Sequence, residues 1–275
     1  MHFPRVKVPM KKFISLILFP VQAFALGNLF IIGGGSQSDE LVSEYLNLCG
    51  LENKILIIAK ASSLEEEVLA EVEARFKNLG AKNTQKYICS GSADNCIKQL
   101  ESVKCLYFSG GDQKKLTSHF GASQFLSKIK SEYDKGMTII GTSAGAAIMS
   151  EIMLTGNILD DSRGFTRIAQ SHVEDASGFG FVKNFIIDQH FIKRQRQNRL
   201  LSKVLELPSL VGLGIDESTA VVFKNSLNEF SVSGEGTVIV YDARKVNQLS
   251  NDRRGNFSVS NINLSILSQG QGFKF

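Results

Sequence analysis

The sequence has little excess charge, and most of that excess lies at its N terminus. The chain has 275 residues, of which 31 are basic and 27 are acidic, so its formal charge is +4. Four basic residues and no acidic residue lie within residues 1–25, so residues 26–275 carry 27 charges of each sign. Non-specific binding to phosphate backbones needs a clustered excess of Lys and Arg. We therefore expect no nucleic-acid partner.

Cysteine and histidine are also scarce, with four of each. The cysteines (Cys49, Cys89, Cys96 and Cys105) form no CxxC pair and have no histidine cluster near them, which argues against a zinc site. We expect no metal and no organic cofactor. In an exported protein some of these thiols would form disulfides. Cys89 and Cys96 flank a short polar loop and are the favoured pair, while the connectivity among the four stays open.

No long apolar run suggests a membrane span. The run from Phe13 to Val21 is too short to cross a bilayer as a helix. Two lysines precede it and Ala23-Phe24-Ala25 follows it, which is the three-part pattern of a signal peptide. We predict that residues 1–25 are a cleaved signal peptide, with Met10 as an alternative start. The mature protein would then be periplasmic or extracellular, without a membrane partner. An N-terminal strand or a membrane-surface anchor is the alternative.

Short apolar runs alternate with amphipathic stretches along the rest of the chain. The runs LFIIGGG (29–35), KILIIA (54–59), KYIC (86–89), VKCLYFSGG (103–111) and MTIIG (137–141) are typical of strands buried on both faces of a parallel sheet. Helix-compatible sequence follows each of them. This alternation predicts a doubly wound α/β fold with a mostly parallel sheet.

From residue 220 the sequence changes to β-branched alternations with glycine and asparagine turns. This pattern predicts antiparallel strands. No Pro- or Ser-rich linker separates them from the preceding part, so we expect residues 26–275 to form a single domain with a β-rich C-terminal extension.

Residues 141–145 read GTSAG, at the corner between an apolar run and helix-compatible sequence. This GxSxG pattern is typical of a nucleophile elbow, in which tight backbone geometry exposes a serine hydroxyl and demands small neighbours. Ser143 is therefore the candidate nucleophile. A corner of small residues that serves only packing is the alternative.

A serine nucleophile needs a base, and three histidines remain beyond the signal peptide: His119, His172 and His190. Only His190 follows an apolar run and has clustered charged neighbours, namely Asp188, Arg194, Arg196 and Arg199. A carboxylate must orient the base, and Asp216 or Glu217 stands after another short apolar run. A pair of solvated turn carboxylates is the alternative for these two.

Four blocks of sequence resemble one known family. They are GGDQ (110–113), GTSAGAAIMS (141–150), IDQHFIKRQRQNRL (187–200) and GIDESTA (214–220). Together they resemble cyanophycinases and related aspartyl-dipeptidase-like serine peptidases, in family order across most of the chain. The resemblance implies a fold similar to class I glutamine amidotransferases, with serine where those enzymes carry cysteine. It also implies Ser143 as nucleophile, His190 as general base and Glu217 as the acid that orients the base.

The same resemblance implies further site residues. The backbone N–H groups of Gly111 and Ala144 would form the oxyanion hole, and the substrate-binding positions would be Gln113, Asp188, Arg194, Arg196 and Arg199. A helix starting near Asp188 would place Arg194 on the same side as His190. Arginine could bind the free carboxylate of a β-linked aspartate, and Asp188 could receive a substrate guanidinium. A solvated basic helix face is the alternative.

These observations predict an exported serine-type exopeptidase that hydrolyses β-aspartyl peptides such as cyanophycin and releases β-Asp-Arg through an acyl-enzyme. Its partner is a peptide with an aspartyl linkage, and dimeric relatives suggest a homodimer. An α-aspartyl dipeptidase is one alternative. A non-catalytic protein that binds an anionic ligand is another. The polar segment between residues 158 and 181 has no recognisable motif, although we expect it to contribute to the pocket.

Overall fold

The computed structural model describes residues 26–159 and 164–275. The predicted signal peptide lies outside these residues. Within the described residues, every helix is too short or too polar to cross a membrane. The helices are α1 (Asp39–Cys49), α2 (Glu65–Asn78), α3 (Gln113–Phe120), α4 (Gln124–Tyr133), α5 (Ala144–Ala147) and α6 (Gln197–Glu206), with a 3₁₀ helix at Ala93–Leu100.

The strands belong to two large sheets and one hairpin. In chain order they are β1 (Leu29–Ile32), β2 (Lys54–Ile58), β3 (Asn83–Lys86), β4 (Val103–Phe108), β5 (Thr138–Thr142), β6 (Ser150–Ile158), β7 (Val173–Ser177), β8 (Val182–Gln189), β9 (Val211–Ile215), β10 (Thr219–Phe223), β11 (Glu229–Gly234), β12 (Val238–Asp242), β13 (Asn247–Asn251), β14 (Phe257–Ser260), β15 (Asn263–Leu267) and β16 (Gly272–Lys274).

The first sheet has eight strands in the order β16-β11-β10-β1-β5-β4-β2-β3. Its five strands from β1 to β3 in this order are parallel, while β10, β11 and β16 pair antiparallel at the other end. The parallel strands β1, β2, β4 and β5 are mostly apolar and buried, because helices and a second sheet cover both faces, whereas the edge strand β3 is polar. Their carboxyl ends meet at one edge, where ligand sites of open α/β sheets form.

Alternate residues of the central strands enter two separate cores. Phe30, Ile32 and Ile57 pack against α1 and α2 on one face. Leu29, Ile31 and other residues of the opposite face pack against α4 and against strands of the second sheet. Side chains alternate in direction along a strand, so one apolar run can supply both cores.

The second sheet has six strands in the order β15-β12-β9-β8-β6-β7. Its inner face joins the core of the first sheet, and its outer face packs against α6 and the β13–β14 hairpin. The predicted mixture of helices and mostly buried strands is confirmed at the level of an α/β fold. The prediction of a single sheet is wrong, since a second sheet covers part of the face that a doubly wound fold leaves to helices.

Two local predictions are also wrong. The run KYIC predicts a strand over 86–89, but β3 spans Asn83–Lys86. This edge strand is mostly polar and only partly buried, so no apolar run marks it. The helix expected after MTIIG shrinks to the single turn of α5, and β6 begins at Ser150. A short apolar run buried on all sides cannot be assigned to helix or strand by periodicity alone.

Apart from the β13–β14 hairpin, the antiparallel strands after residue 220 join the two large sheets. β10, β11 and β16 extend the first sheet, whereas β12 and β15 extend the second. Two disulfides cross-link the chain. Cys89–Cys96, the pair favoured from the sequence, closes a short loop, and Cys49–Cys105 joins the end of α1 to β4. The latter pairing was left open by the sequence.

Candidate active site

Ser143 stands at a sharp corner between β5 and α5. Its backbone has φ 53° and ψ −109°, a conformation that residues other than glycine rarely adopt and that clusters at functional sites. The neighbouring positions must be glycine, because a side chain there would collide with the backbone. A Cβ on Gly141 would lie 2.2 Å from the carbonyl oxygen of Gly145, and one on Gly145 would lie 2.4 Å from that of Phe108. The small residues of GTSAG therefore serve the elbow geometry.

The structure brings Ser143, His190 and Glu217 into one hydrogen-bonded chain. Ser143 Oγ lies 2.9 Å from His190 Nε2, and His190 Nδ1 lies 2.6 Å from Glu217 Oε1. Ser143 follows β5, His190 follows β8, and Glu217 lies between β9 and β10. In this arrangement the carboxylate accepts the Nδ1–H of the ring, which leaves Nε2 free to take the serine proton.

Burial keeps the base neutral. The His190 side chain is nearly buried, and burial lowers its pKa below the ordinary value. The hydrogen bond that His190 donates to Glu217 raises the pKa, while the positive charges of Arg194 and Arg196 lower it. The net lowering leaves the imidazole neutral at pH 7. The hydrogen bond with His190 lowers the pKa of Glu217, so its carboxylate is ionised there.

A glycine loop after β1, which sequence reasoning did not include in the site, supports both the base and the acid. The backbone N–H of His190 donates to Gly33 O at 2.7 Å. A Cβ on Gly34 would lie 2.4 Å from His190 Cε1, and one on Gly35 would lie 2.7 Å from Glu217 Cβ. Three consecutive glycines at a strand end are the sequence signal that could have identified this loop.

The Gly110–Gly111 turn lies beside the nucleophile. A Cβ on Gly110 would be 3.3 Å from Ser143 Cβ. Gly111 has φ 137° and packs against Ala61, where a Cβ would meet the carbonyl oxygen at 2.2 Å. Ala144 is the first residue of α5, directly after Ser143. Of the two residues predicted to form an oxyanion hole, Ala144 adjoins Ser143 and Gly111 follows the glycine that contacts it, and their role stays a prediction.

Asp188 and Arg199 occupy different surroundings from those predicted. Arg199 is 2% exposed and Asp188 is 1% exposed, and the guanidinium and the carboxylate form a bidentate ion pair in which Arg199 Nε donates to Asp188 Oδ2 at 2.7 Å. The ring of Phe165 lies 5.1 Å from the guanidinium carbon. That both bind substrate stays a prediction. The two charges satisfy one another inside the protein and join β8 to α6.

The other two arginines belong to a turn rather than to the predicted helix. The helix expected from near Asp188 begins only at Gln197, because β8 continues to Gln189. Arg194 is exposed, and its backbone N–H donates to His190 O at 3.0 Å. This hydrogen bond keeps Arg194 one turn away from His190, as the spacing predicted. Among the described residues, no carboxylate forms an ion pair with Arg194.

Neighbouring side chains hold this turn in place. Arg196 Nη1 donates to the carbonyl oxygen and to Oε1 of Gln189, at 2.7 and 2.9 Å. Asp216 Oδ1 accepts the backbone N–H groups of Ile192 and Lys193, at 3.1 and 3.0 Å. Of the two carboxylates considered from the sequence, Glu217 therefore contacts the base, while Asp216 supports the turn that follows it.

The remaining candidates lie outside this chain of contacts. Gln113 is buried, and its Nε2 donates to the carbonyl oxygens of Leu154 and Thr155 at 2.9 and 3.0 Å. His172 is fully buried near Phe165. His119 lies against Tyr87, with 3.0 Å between Nε2 and the phenol oxygen. Neither histidine reaches Ser143. Within residues 26–159 and 164–275, no group of three or more His, Cys, Asp or Glu side chains could hold a metal.

A serine at a strained strand-to-helix corner, bonded to a neutral histidine that is bonded to a carboxylate, has the arrangement of a serine-type hydrolase. The family follows from comparison with known proteins. The chain belongs to peptidase family S51, whose model matches residues 29–229. It is therefore a serine-type peptidase.

Two relatives and one solved structure illustrate the similarity. The chain is 26% identical over 265 residues to a cyanophycinase of Geminocystis herdmanii (strain PCC 6308), covering 92% of this chain and 95% of that protein. It is 28% identical over 259 residues to a cyanophycinase of Trichormus variabilis (strain ATCC 29413 / PCC 7937), covering 89% and 84%. The crystal structure of a peptidase from an acI-B1 Actinobacterium matches with a TM-score of 0.67 at 18% identity, covering 92% and 99%.

Proposed function

We propose that this chain is an exported serine-type exopeptidase that hydrolyses β-aspartyl peptides of the cyanophycin type and releases β-Asp-Arg through an acyl-enzyme. The observation that carries the proposal is the hydrogen-bonded series from Ser143 through His190 to Glu217, with exposed Arg194 one turn from the base. Relatives that bear the name cyanophycinase support the substrate class. We also propose that the fold is of the class I glutamine amidotransferase type.

In the proposed mechanism, Ser143 Oγ attacks the scissile carbonyl carbon and His190 Nε2 takes the hydroxyl proton. The N–H groups of Gly111 and Ala144 stabilise the negative oxygen of the tetrahedral intermediate. His190 then gives its proton to the leaving amine, and the peptide bond breaks. Water attacks the acyl-enzyme with His190 again as base, which releases the acid product and restores Ser143. Glu217 holds the ring orientation and stabilises the imidazolium in both halves.

Arg194 is the substrate anchor that the geometry favours among the three arginines. Asp188 and Arg199 neutralise one another, and Arg196 is committed in part to Gln189. An exposed guanidinium beside the base can bind the free carboxylate of a β-linked aspartyl unit through its two-pronged donor face. Arg196 remains near enough to His190 to affect its charge state, and its side chain is mostly buried.

Export is supported by two features. Residues 1–25 have the three-part signal pattern. All four cysteines are paired, and disulfides persist in oxidising compartments such as the periplasm and the extracellular space. We propose that the mature protein acts there on peptide released by other cells, and that it forms a homodimer.

The experiment that tests the activity is product analysis by mass spectrometry after incubation with cyanophycin and with matched α- and β-linked Asp-Arg peptides. We expect β-Asp-Arg from the parent and none from Ser143→Ala, which circular dichroism should show to be folded. Cleavage of only α-linked peptides would instead identify an α-aspartyl dipeptidase. Turnover by Ser143→Ala equal to that of the parent would contradict the assignment of the nucleophile. Failure of a fluorophosphonate to label Ser143 would favour a non-catalytic protein.

The role of Arg194 has its own test. We expect Arg194→Ala to raise KM for a β-aspartyl peptide about tenfold to a hundredfold, because a charge-assisted contact is worth about 1.5 to 3 kcal/mol. Arg194→Lys should recover only part, since it keeps the charge and loses the fork. Arg253→Ala, at an exposed arginine in the loop after β13, is the matched control. An unchanged KM for Arg194→Ala would show that this guanidinium is merely solvated.

A further inference from the structure

A second cleft opens on the same sheet edge as the proposed active site. It has a volume of about 480 Å³ and is lined by Lys60, Glu65, Glu66, Leu69, Lys86, Ile88 and Cys89. Lys60 follows β2, Ile88 and Cys89 follow β3, and the two glutamates lie in the first turn of α2. We call it the β2–β3 cleft. None of its lining residues takes part in the proposed catalytic steps.

The sheet order places this cleft next to the oxyanion side of Ser143. Neighbouring parallel strands run β5-β4-β2-β3, and Ser143 follows β5. Strands lie about 4.8 Å apart, so the ends of β2 and β3 are roughly 10 and 14 Å from the end of β5. The loop after β2 contacts the turn after β4 directly, since Asp112 N donates to Ala61 O at 2.9 Å. An extended peptide advances about 3.4 Å per residue and would cover this distance in roughly three or four residues.

The cleft presents charges of both signs beside an apolar surface. Lys60 Nζ lies 2.8 Å from Glu65 Oε1, and Lys86 Nζ lies 3.2 Å from Glu73 Oε2. Glu66 is exposed and forms no ion pair with another described residue. Ile88 is 71% exposed, which is unusual for so large an apolar side chain. Such a surface suits a ligand that carries both a cation and an anion on flexible methylene stems.

A disulfide and several side-chain contacts fix the wall of the cleft. The Cys89–Cys96 disulfide closes the loop after β3. Lys60 Nζ lies 5.9 Å from the centre of the Tyr87 ring, and it also donates to Cys89 O at 3.4 Å. The Tyr87 hydroxyl contacts His119 Nε2 behind this wall. His119 thus supports the cleft. A preformed cleft orders fewer groups when a ligand binds.

We propose that the β2–β3 cleft is a distal subsite that binds a branch of a polymeric substrate several residues away from the scissile bond. This inference rests on the proposed function. Each branch of a β-Asp-Arg polymer carries a guanidinium and a free carboxylate. Exposed Glu66 binds the guanidinium and partly exposed Lys86 binds the carboxylate, while Ile88 packs on the methylene stem and Lys60 keeps its ion pair with Glu65. The subsite makes the enzyme prefer long chains over short ones.

The test compares KM for a dimer of β-Asp-Arg units, which ends before the cleft, with KM for long cyanophycin chains. Glu66→Lys should raise KM for the polymer roughly threefold to tenfold. The substitution removes the attraction between an exposed carboxylate and the guanidinium, and it adds a repulsion between two positive charges. It should leave KM for the dimer unchanged. Glu66→Gln, which only removes the charge, should give a smaller increase. Thermal unfolding should show that each variant is folded.

Glu67→Lys is the matched control, since Glu67 is exposed in the same turn of α2 and does not line the cleft. It should affect neither substrate. Equal effects of Glu66→Lys on dimer and polymer, or an equal effect of Glu67→Lys, would overturn the subsite while leaving the proposed function intact. Failure of the parent to cleave either substrate would overturn the proposed function, and the subsite with it.

Discussion

At the residue scale, the charge state of His190 decides when the site can work. Burial lowers the pKa of this side chain first, and the nearby positive charges of Arg194 and Arg196 lower it further against the opposing hydrogen bond of Glu217. A base must be unprotonated to accept the serine proton. The lowered pKa therefore keeps the proposed base unprotonated down to a lower pH than an ordinary histidine.

Arg194→Gln should move the acidic limb of the kcat/KM profile to higher pH. Removing a positive charge near the imidazole makes protonation easier, so the pKa of His190 rises and activity is lost at a higher pH as the solution is acidified. The measurement is a pH profile on a small uncharged ester, which avoids the anchoring role of Arg194. Arg253→Gln should leave the limb in place. An acidic limb of the kcat/KM profile at an unchanged or lower pH in Arg194→Gln would contradict this account.

Gly34 is a second residue that we expect to affect activity, because an added Cβ atom would collide with His190. Its φ is 100°, and an added Cβ would lie 2.4 Å from His190 Cε1. We expect Gly34→Ala to reduce kcat/KM about a hundredfold, since displacing a catalytic group by about 1 Å costs that much. Gly270→Ala is the control, because Gly270 has φ 80° with no atom near the added Cβ. Both variants should lose about 1 to 2 kcal/mol of stability from the left-handed backbone. Equal activities of the two variants would argue against steric displacement of His190.

At the element scale, the join between β8 and α6 depends on one buried ion pair. Asp188 is the last residue but one of β8 and is buried, and Arg199 contacts it from the first turn of α6. Arg196 lies 3.6 Å from the same carboxylate and is a weaker second partner. Breaking a buried pair leaves an uncompensated charge, whereas removing both partners often costs little.

Arg199→Met should therefore lower the free energy of unfolding by about 3 to 5 kcal/mol, and Asp188→Asn combined with Arg199→Met should recover much of that loss. Urea denaturation measures both. Lys128→Ala removes an exposed ion pair within α4 and should cost less than about 1 kcal/mol. A double variant no more stable than Arg199→Met would show that Arg199 acts through packing alone.

The active-site turn shows why elements were only partly predictable. Helical spacing correctly placed Arg194 one turn after His190, since their backbone hydrogen bond exists in the structure. The periodicity could not show that this turn is isolated and that the helix starts at Gln197. Asp216, which follows β9, holds this isolated turn. Its carboxylate accepts hydrogen bonds from two backbone N–H groups of the turn. A contact between residues so far apart in sequence leaves no periodic signal.

At the scale of the whole molecule, two disulfides connect elements of the first sheet and its helices. Cys49 and Cys105 are 56 residues apart, whereas Cys89 and Cys96 are seven apart. In the chain-entropy model a longer closed loop gives more stabilisation, about 4 kcal/mol for the first bridge against roughly 2.5 for the second. The first bridge also lies inside the core between α1 and β4, where both cysteines are buried.

Replacing Cys49 and Cys105 together by alanine should thus lower stability more than replacing Cys89 and Cys96 together. Urea denaturation of both double variants measures the difference, and mass spectrometry of a non-reduced digest checks the pairing. The reverse order of stability would show that loop length does not govern the effect in this fold.

The sequence alone determined what depends on short stretches of chain. GTSAG indicated an elbow because neighbouring backbone atoms exclude larger side chains. Apolar runs placed four of the five central parallel strands, since burial on both faces leaves a continuous local signal. Four spaced blocks indicated the peptidase family, which the family match confirms. Proximity along the chain also favoured the Cys89–Cys96 pair, which the structure contains.

Only the tertiary structure decided which groups meet across long separations. It joined Asp188 to Arg199 in a buried ion pair, and it set the Gly33–Gly35 loop against His190 and Glu217. It also inserted a second sheet where helices were expected. The physical reason is that charge pairing and steric contact depend on distance in space. Propensity and periodicity describe each segment separately and cannot report which segments the packed core brings together.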